Sequence, residues 1–204
     1  MGLLVAFTFS GAASRFDTRR QLIVQEVNAI GTAYLRLKLL PPQAQAELRS
    51  DFRKYVEART AIYRKLPDVE AAKLELARSK VLQDAIWEKA VAVSKAAEGQ
   101  QAALLLLPAL NQMIDITTTR TVALQTHAPA MVLWLLCGVA FAGALLAGHA
   151  IAGVKAHSWV DVLLFAAVLA ATIYVIVDLE YPHAGLIRIE AVERLMADLL
   201  DSMK

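Results

Sequence analysis

The chain has 204 residues, 57% of them hydrophobic, with a mean hydropathy of +0.47 and a formal net charge of +2. Ordinary soluble domains carry less apolar sequence, and a near-balanced charge without a basic cluster interleaved with aromatics does not point to nucleic acid. With Cys137 as the single cysteine, no disulfide can close within the chain.

The first element is apolar, Gly2–Ala13, and runs straight into Arg15-Phe16-Asp17-Thr18-Arg19-Arg20. No basic segment precedes it and no small-residue cleavage site follows, so it does not have the form of a signal peptide. It reads as the last half of a transmembrane helix, with the expectation that the rest lies upstream of Met1. Phe7, Ser10 and Ser14 follow spacings of three and four, which puts an aromatic ring and two hydroxyls on one face beside Gly11. Such a face serves either ordinary helix packing or a pore wall, where hydroxyl donors suit a partly dehydrated anion.

Helical periodicity continues through the next hundred residues. Ile23, Val27, Ile30 and Tyr34 form a stripe before Pro41-Pro42; Phe52, Tyr55 or Val56, Arg59, Ile62 and Tyr63 form a second. Leu74, Ala77, Val81 and Ala85, with Trp87 and Val91, make a third after Pro67-Asp68, where Asp68 is placed to cap a helix. Gly99 ends that segment, and Pro108 and Pro129 are expected to bracket a fourth. Residues 15–127 hold 17 of the 21 Lys and Arg and 12 of the 19 Asp and Glu, a local charge of +5 (17 minus 12) that suits a water-facing helical region.

Within the fourth segment Asn111, Asp115 and Thr119 share a helical face, beside Thr118 and Arg120. They read as a polar inter-helix or inter-subunit network or as a permeation surface. The network is preferred because Asn and Asp at helix interfaces are ordinarily paired. Glu26 and Asn28 are the candidate partners for Arg120.

Residues 130–148 and 162–177 carry no formal charge, and the extended runs around them approach the length needed to cross about 30 Å of hydrocarbon as helices. Lys155-Ala156-His157-Ser158 is too short a break for a domain, so the two form a tight hairpin. Ala140, Ala144, Gly148 and Ala152 fall four apart and can meet Ala166/Ala170 or Ala167/Ala171. Trp134 and Trp159 suit the membrane interface. Arg15, Arg19 and Arg20 against a lone Lys155 place residues 15–127 and the C-terminal tail in the cytoplasm.

His127, His149, His157 and His183 sit on separate elements without ligand spacing, so no metal site is expected. No phosphate loop, nucleophile elbow or zinc-protease helix is present, and neither catalytic residues nor a cofactor are expected. Asp178 and Glu180 read most simply as the exit of the last apolar helix into water.

Phe7–Arg20, followed by Glu26-Val27-Asn28-Ala29-Ile30-Gly31-Thr32-Ala33-Tyr34-Leu35-Arg36, resembles the second-helix region of bestrophins, and most closely that of an uncharacterised bacterial bestrophin-like family. Leu110-Asn111-Gln112-Met113 with Arg120, and Asp178-Leu179-Glu180-Tyr181-Pro182-His183-Ala184-Gly185 after the last apolar helix, are similar to further landmarks of that family. The resemblance makes Asp178, Glu180, Pro182 and Gly185 a post-helix turn motif. It implies an all-α, multi-pass protein of the bacterial inner membrane. Residues 1–14 would be the end of a transmembrane helix, 15–127 a helical cytoplasmic region, 128–179 a transmembrane hairpin and 180–204 a cytoplasmic C-terminal helix. It further implies a homo-oligomer, five subunits in the family plan, around an anion pore lined by Phe7, Ser10 and Ser14, with the lipid bilayer and inorganic anions as partners. The alternative is a non-conducting membrane scaffold whose helical region binds a partner. The calcium-site acidic cluster of animal bestrophins is replaced by Leu186-Ile187-Arg188-Ile189, and the tryptophan pair of the second-helix motif by Phe16-Asp17, so the resemblance does not extend to calcium gating.

Overall fold

A computed structural model describes residues 2–65, 68–96, 99–152, 159–181 and 190–203, with backbone only for 150–152 and 190–193. Among these residues all regular structure is helical: α1 Gly2–Arg36, α2 Pro42–Arg64, α3 Val69–Ser94, α4 Gln100–Gln125, α5 Ala130–Ala152, α6 Trp159–Glu180 and α7 Glu190–Ser202. The Lys155–Ser158 turn, Pro67, His183 and two members of the post-helix motif, Pro182 and Gly185, lie outside the described residues.

Local sequence explains the helix ends. A 3-10 turn, Leu37–Leu39, closes α1 before Pro41-Pro42, and Pro42 opens α2 where a missing N–H costs nothing. Asp68 caps α3 by accepting the Ala71 N–H at 3.1 Å. Pro108, expected to bound a helix, instead lies inside α4. The helix continues because Leu106, Ala109, Leu110 and Met113, on both sides of the proline, are buried in one core. Proline disturbs the carbonyls of the preceding turn, and the Arg36 guanidinium donates to one of them, Leu105 O.

The chain divides into two compact units, one of Met1–Thr18 and Gln125–Arg188, the other of Arg19–Leu124 and Ile189–Lys204. The second unit has the larger core. Ile23, Ile30 and Ala33 of α1, Phe52, Tyr55 and Val56 of α2, Ile86 and Ala90 of α3, Leu106, Leu110 and Met113 of α4 and Met196 of α7 meet there. α3 turns a different face inward from the expected stripe. Ala72, Ser79, Gln83, Ile86 and Ala90 are buried, while Leu74 and Val81 are 72% and 68% exposed. Three of these five inward side chains, Ala72, Ser79 and Ala90, are small.

The first unit has a small core: Ala12 of α1, Leu136 of α5 and Ile176 and Leu179 of α6, with Leu4, Val5, Ala13 and Phe16 packed on it. Two segments are apolar enough to cross a membrane, one within Gln100–His149 and the other Trp159–Glu180, with mean hydropathies of 2.3 and 2.5. The most apolar stretch of each is almost wholly exposed, so neither is a conventional soluble-core helix. The small residues of the hairpin do face each other, but across a cleft of about 440 Å³ lined by Ala140, Ala144, Gly148, Ala166 and Ala170. A Cβ on Gly148 would touch nothing within 4 Å, so this seam is looser than direct backbone contact.

The tight glycine is Gly99, where a Cβ would lie 2.2 Å from the Val93 carbonyl oxygen. Gly99→Ala should destabilise the protein by about 1–3 kcal/mol, the usual range for overpacking. Gly31→Ala, whose Cβ would meet only Leu199 Cδ1 at 3.5 Å, should be neutral or mildly stabilising. Thermal unfolding in detergent compares them; equal midpoints for the two variants would contradict the close approach at Gly99.

Candidate functional site

Three arrangements gather the chemistry-bearing residues. The first is a buried charged cluster in the second unit. Glu26, on the inward face of α1, accepts the Arg59 Nε–H at 2.6 Å on one oxygen and an Arg120 N–H on the other. None of the three side chains is more than 2% exposed. The Arg120 guanidinium lies 4.3 Å from the ring centroid of Tyr63, a cation–π distance. Tyr55 bonds Thr117 at 3.0 Å; since Thr117 Oγ1 donates to the Met113 carbonyl, the Tyr55 hydroxyl is the donor.

Burial by itself would raise the Glu26 pKa, but the two guanidiniums outweigh it and hold the carboxyl below its ordinary 4.5. Burial pushes Tyr55 up to about 12 and raises Tyr63 as well, so both phenols are neutral at physiological pH.

Arg59 was legible as an anomaly, an arginine on the apolar stripe of α2, though not as a partner of Glu26. The structure brings Glu26 and Arg120 together and puts the remaining polar candidates elsewhere. Asn28, Asn111, Asp115 and Thr119 line a second arrangement, an open groove of about 700 Å³ between α1 and α4 that also includes Gln25, Thr32 and Gln112. The helical repeat accounts for the split. Thr119 shares a face with Asp115 and Asn111, while Arg120, one step further round, shares one with Met113 and Thr117. Thr119 Oγ1 donates to the Asp115 carbonyl at 2.9 Å within its own helix.

The third arrangement is in the first unit. Arg15 makes a two-pronged bond to Glu180, Nε at 3.1 Å and Nη2 at 2.9 Å, and Glu180 also accepts the Ala128 N–H just before α5. The 1%-exposed Glu180 side chain thereby ties α1, the lead into α5 and the end of α6. His127 stacks on Tyr181, ring centroids 4.7 Å apart. Asp178 is buried as well, so the two acids expected to mark the exit of α6 into water are instead enclosed at its end. On α1, Thr8 and Ala12 face inward, whereas Phe7, Ser10 and Ser14 are exposed along with Leu3. Among the described residues no group of side chains could hold a metal ion.

Replacing Glu26 by Gln leaves two buried guanidiniums uncompensated and should cost about 3–5 kcal/mol at neutral pH. Because the folded-state pKa is depressed, Glu26 stabilises fully above its unfolded value near 4.5 and loses that contribution as pH falls through the lower folded value. The gap between wild type and Glu26→Gln should therefore close in acid. Denaturant unfolding across pH measures it, and a pH-independent gap would contradict the depressed carboxyl.

A family model described as the Bestrophin-like domain matches residues 1–193. The fold is similar to that of a mutated bacterial bestrophin homolog from Klebsiella pneumoniae, with a TM-score of 0.70 at 16% identity over 98% of this chain and 84% of that one. No curated protein matches the sequence. A match across nearly the whole length, joined to an all-helical fold with two membrane-length apolar helices, makes this chain a member of the bestrophin-like family.

Proposed function

We propose that the chain assembles with copies of itself in the bacterial inner membrane as an anion-conducting pore, with Phe7, Ser10 and Ser14 at its wall. The observation that carries this reading is the division of α1 into two faces. Thr8 and Ala12 pack inward, while Leu3 at 73% and Phe7 at 69% exposure stand uncovered with Ser10 and Ser14 on the same side. An apolar face of this kind calls for a partner or a lining role. Bulky apolar groups followed by hydroxyls fit a constriction that leads to donors for a partly dehydrated anion. The family membership and the bestrophin fold support the plan. The exposed apolar surfaces of α5 and α6, including Phe141, Leu145, Leu163 and Leu164, suit hydrocarbon. The excess of Lys and Arg in residues 15–127 supports a cytoplasmic setting for that region.

Reconstituted in liposomes, the protein should pass halide. Phe7→Ala should raise conductance, because removing a ring from each subunit widens a dewetted constriction. Ser10→Asp should suppress anion flux by placing one carboxylate per subunit where the low dielectric strengthens repulsion. A correctly assembled protein without flux in any form is the outcome that favours a scaffold and ends the channel reading.

Orientation is tested separately in a Cys137→Ser background. Cysteine at Ala156 should react with an impermeant thiol reagent in spheroplasts with the outer membrane removed, and cysteine at the exposed Lys80 should not. The reverse labelling would invert the topology.

A further inference from the structure

The buried cluster of the second unit does not balance its own charge. Arg59 and Arg120 share one carboxylate, Glu26, which leaves +1 (two minus one) in a site where no guanidinium or carboxylate is more than 2% exposed. Three donors there have no hydrogen-bond partner among the described residues: Nη2 of Arg59, Nη2 of Arg120 and the hydroxyl of Tyr63. They belong to one cluster. Arg59 and Tyr63 are four apart on α2 and so share a face, and Arg120 stacks on the Tyr63 ring. A lone buried charge is costly and is normally matched by a counter-charge. The tyrosines cannot supply it, since burial keeps both phenols protonated.

We propose that this cluster is a binding site for a small monovalent anion of chloride size, held by the free Nη2 groups of Arg59 and Arg120 and by the Tyr63 hydroxyl. Glu26 occupies Nε of Arg59 and Nη1 of Arg120, so its carboxylate does not compete for those donors. The anion brings the cluster to neutrality and fixes α2 to α4 where α1 already joins them through Glu26. The site is a structural one in the core of the helical region. It does not rest on the transport reading, and its test needs no flux.

The test is thermal unfolding of the detergent-solubilised full chain at constant ionic strength, with chloride exchanged for gluconate. The midpoint should rise by about 3–8 °C as chloride goes from about 1 to about 300 mM, as expected for a ligand held only by the folded state. Bromide should substitute for chloride. Arg59→Met, which removes the excess charge, should be insensitive to the exchange, and Tyr63→Phe should need several-fold more chloride for the same rise. Arg53→Met, an exposed control on the same helix, should behave as wild type. Should Arg59→Met not fold, wild type and Tyr63→Phe decide the question. Identical wild-type midpoints in chloride and gluconate would mean that water satisfies the donors and no anion site exists. Full chloride dependence in Tyr63→Phe or Arg59→Met would place the effect elsewhere; either result overturns the proposal.

Discussion

One carboxylate organises the larger unit. Glu26 joins α1 to α2 through Arg59 and to α4 through Arg120, with all three side chains removed from water. The hydrophobic effect is non-directional and by itself defines helix register less sharply than paired charges do. A shift that parts a buried ion pair leaves charge unpaired in a low dielectric. Ile30, Tyr55, Leu110 and Met113 supply the burial that makes the pairs unforgiving, and the pairs fix the register at which those apolar groups meet.

The smaller unit uses the same device in a different setting. Its core is slight, Ala12, Leu136, Ile176 and Leu179 with their neighbours, and the apolar faces of α5 and α6 look outward. Where little apolar surface is buried internally, directional bonds must specify the arrangement of helices. Glu180 does so by accepting from both Arg15 and the Ala128 N–H. Each bond to a charged group contributes more than a neutral one, and a carboxylate with two kinds of donor defines an orientation that lipid contacts cannot.

Much of this was legible in the sequence, and what was not has a physical cause. The helices of the second unit follow from apolar spacing and from Pro41-Pro42, Asp68 and Gly99, because those signals are local. Pro108 misled because a local breaker was overridden by burial on both sides of it. The Leu74–Val81 stripe of α3 misled because the face turned inward carries Ala72, Ser79 and Gln83, too weakly hydrophobic to stand out as an apolar stripe. Glu26 with Arg120 could be guessed as a complementary pair. Arg15 with Glu180 could not, since 165 residues separate them and no periodicity relates them. The shared face of Asn111, Asp115 and Thr119 was readable from their spacing, but not that it forms a groove with Gln25, Asn28 and Thr32.

The two kinds of uncovered surface call for different surroundings. On α5 and α6 most of the large exposed groups are Phe, Leu, Val and Trp, which hydrocarbon accepts without loss and water does not. The groove between α1 and α4 is lined instead by amides, hydroxyls and the Asp115 carboxylate. In hydrocarbon each of those groups would forfeit its hydrogen bonds, at a cost of several kcal/mol apiece, and the carboxylate far more. Thr119 answers part of its own need through the Asp115 carbonyl, but side-chain amides carry more donors and acceptors than one helix can satisfy. That groove therefore suits water or a polar surface, and the apolar helices suit lipid. A chain that presents both fits a boundary between the two media.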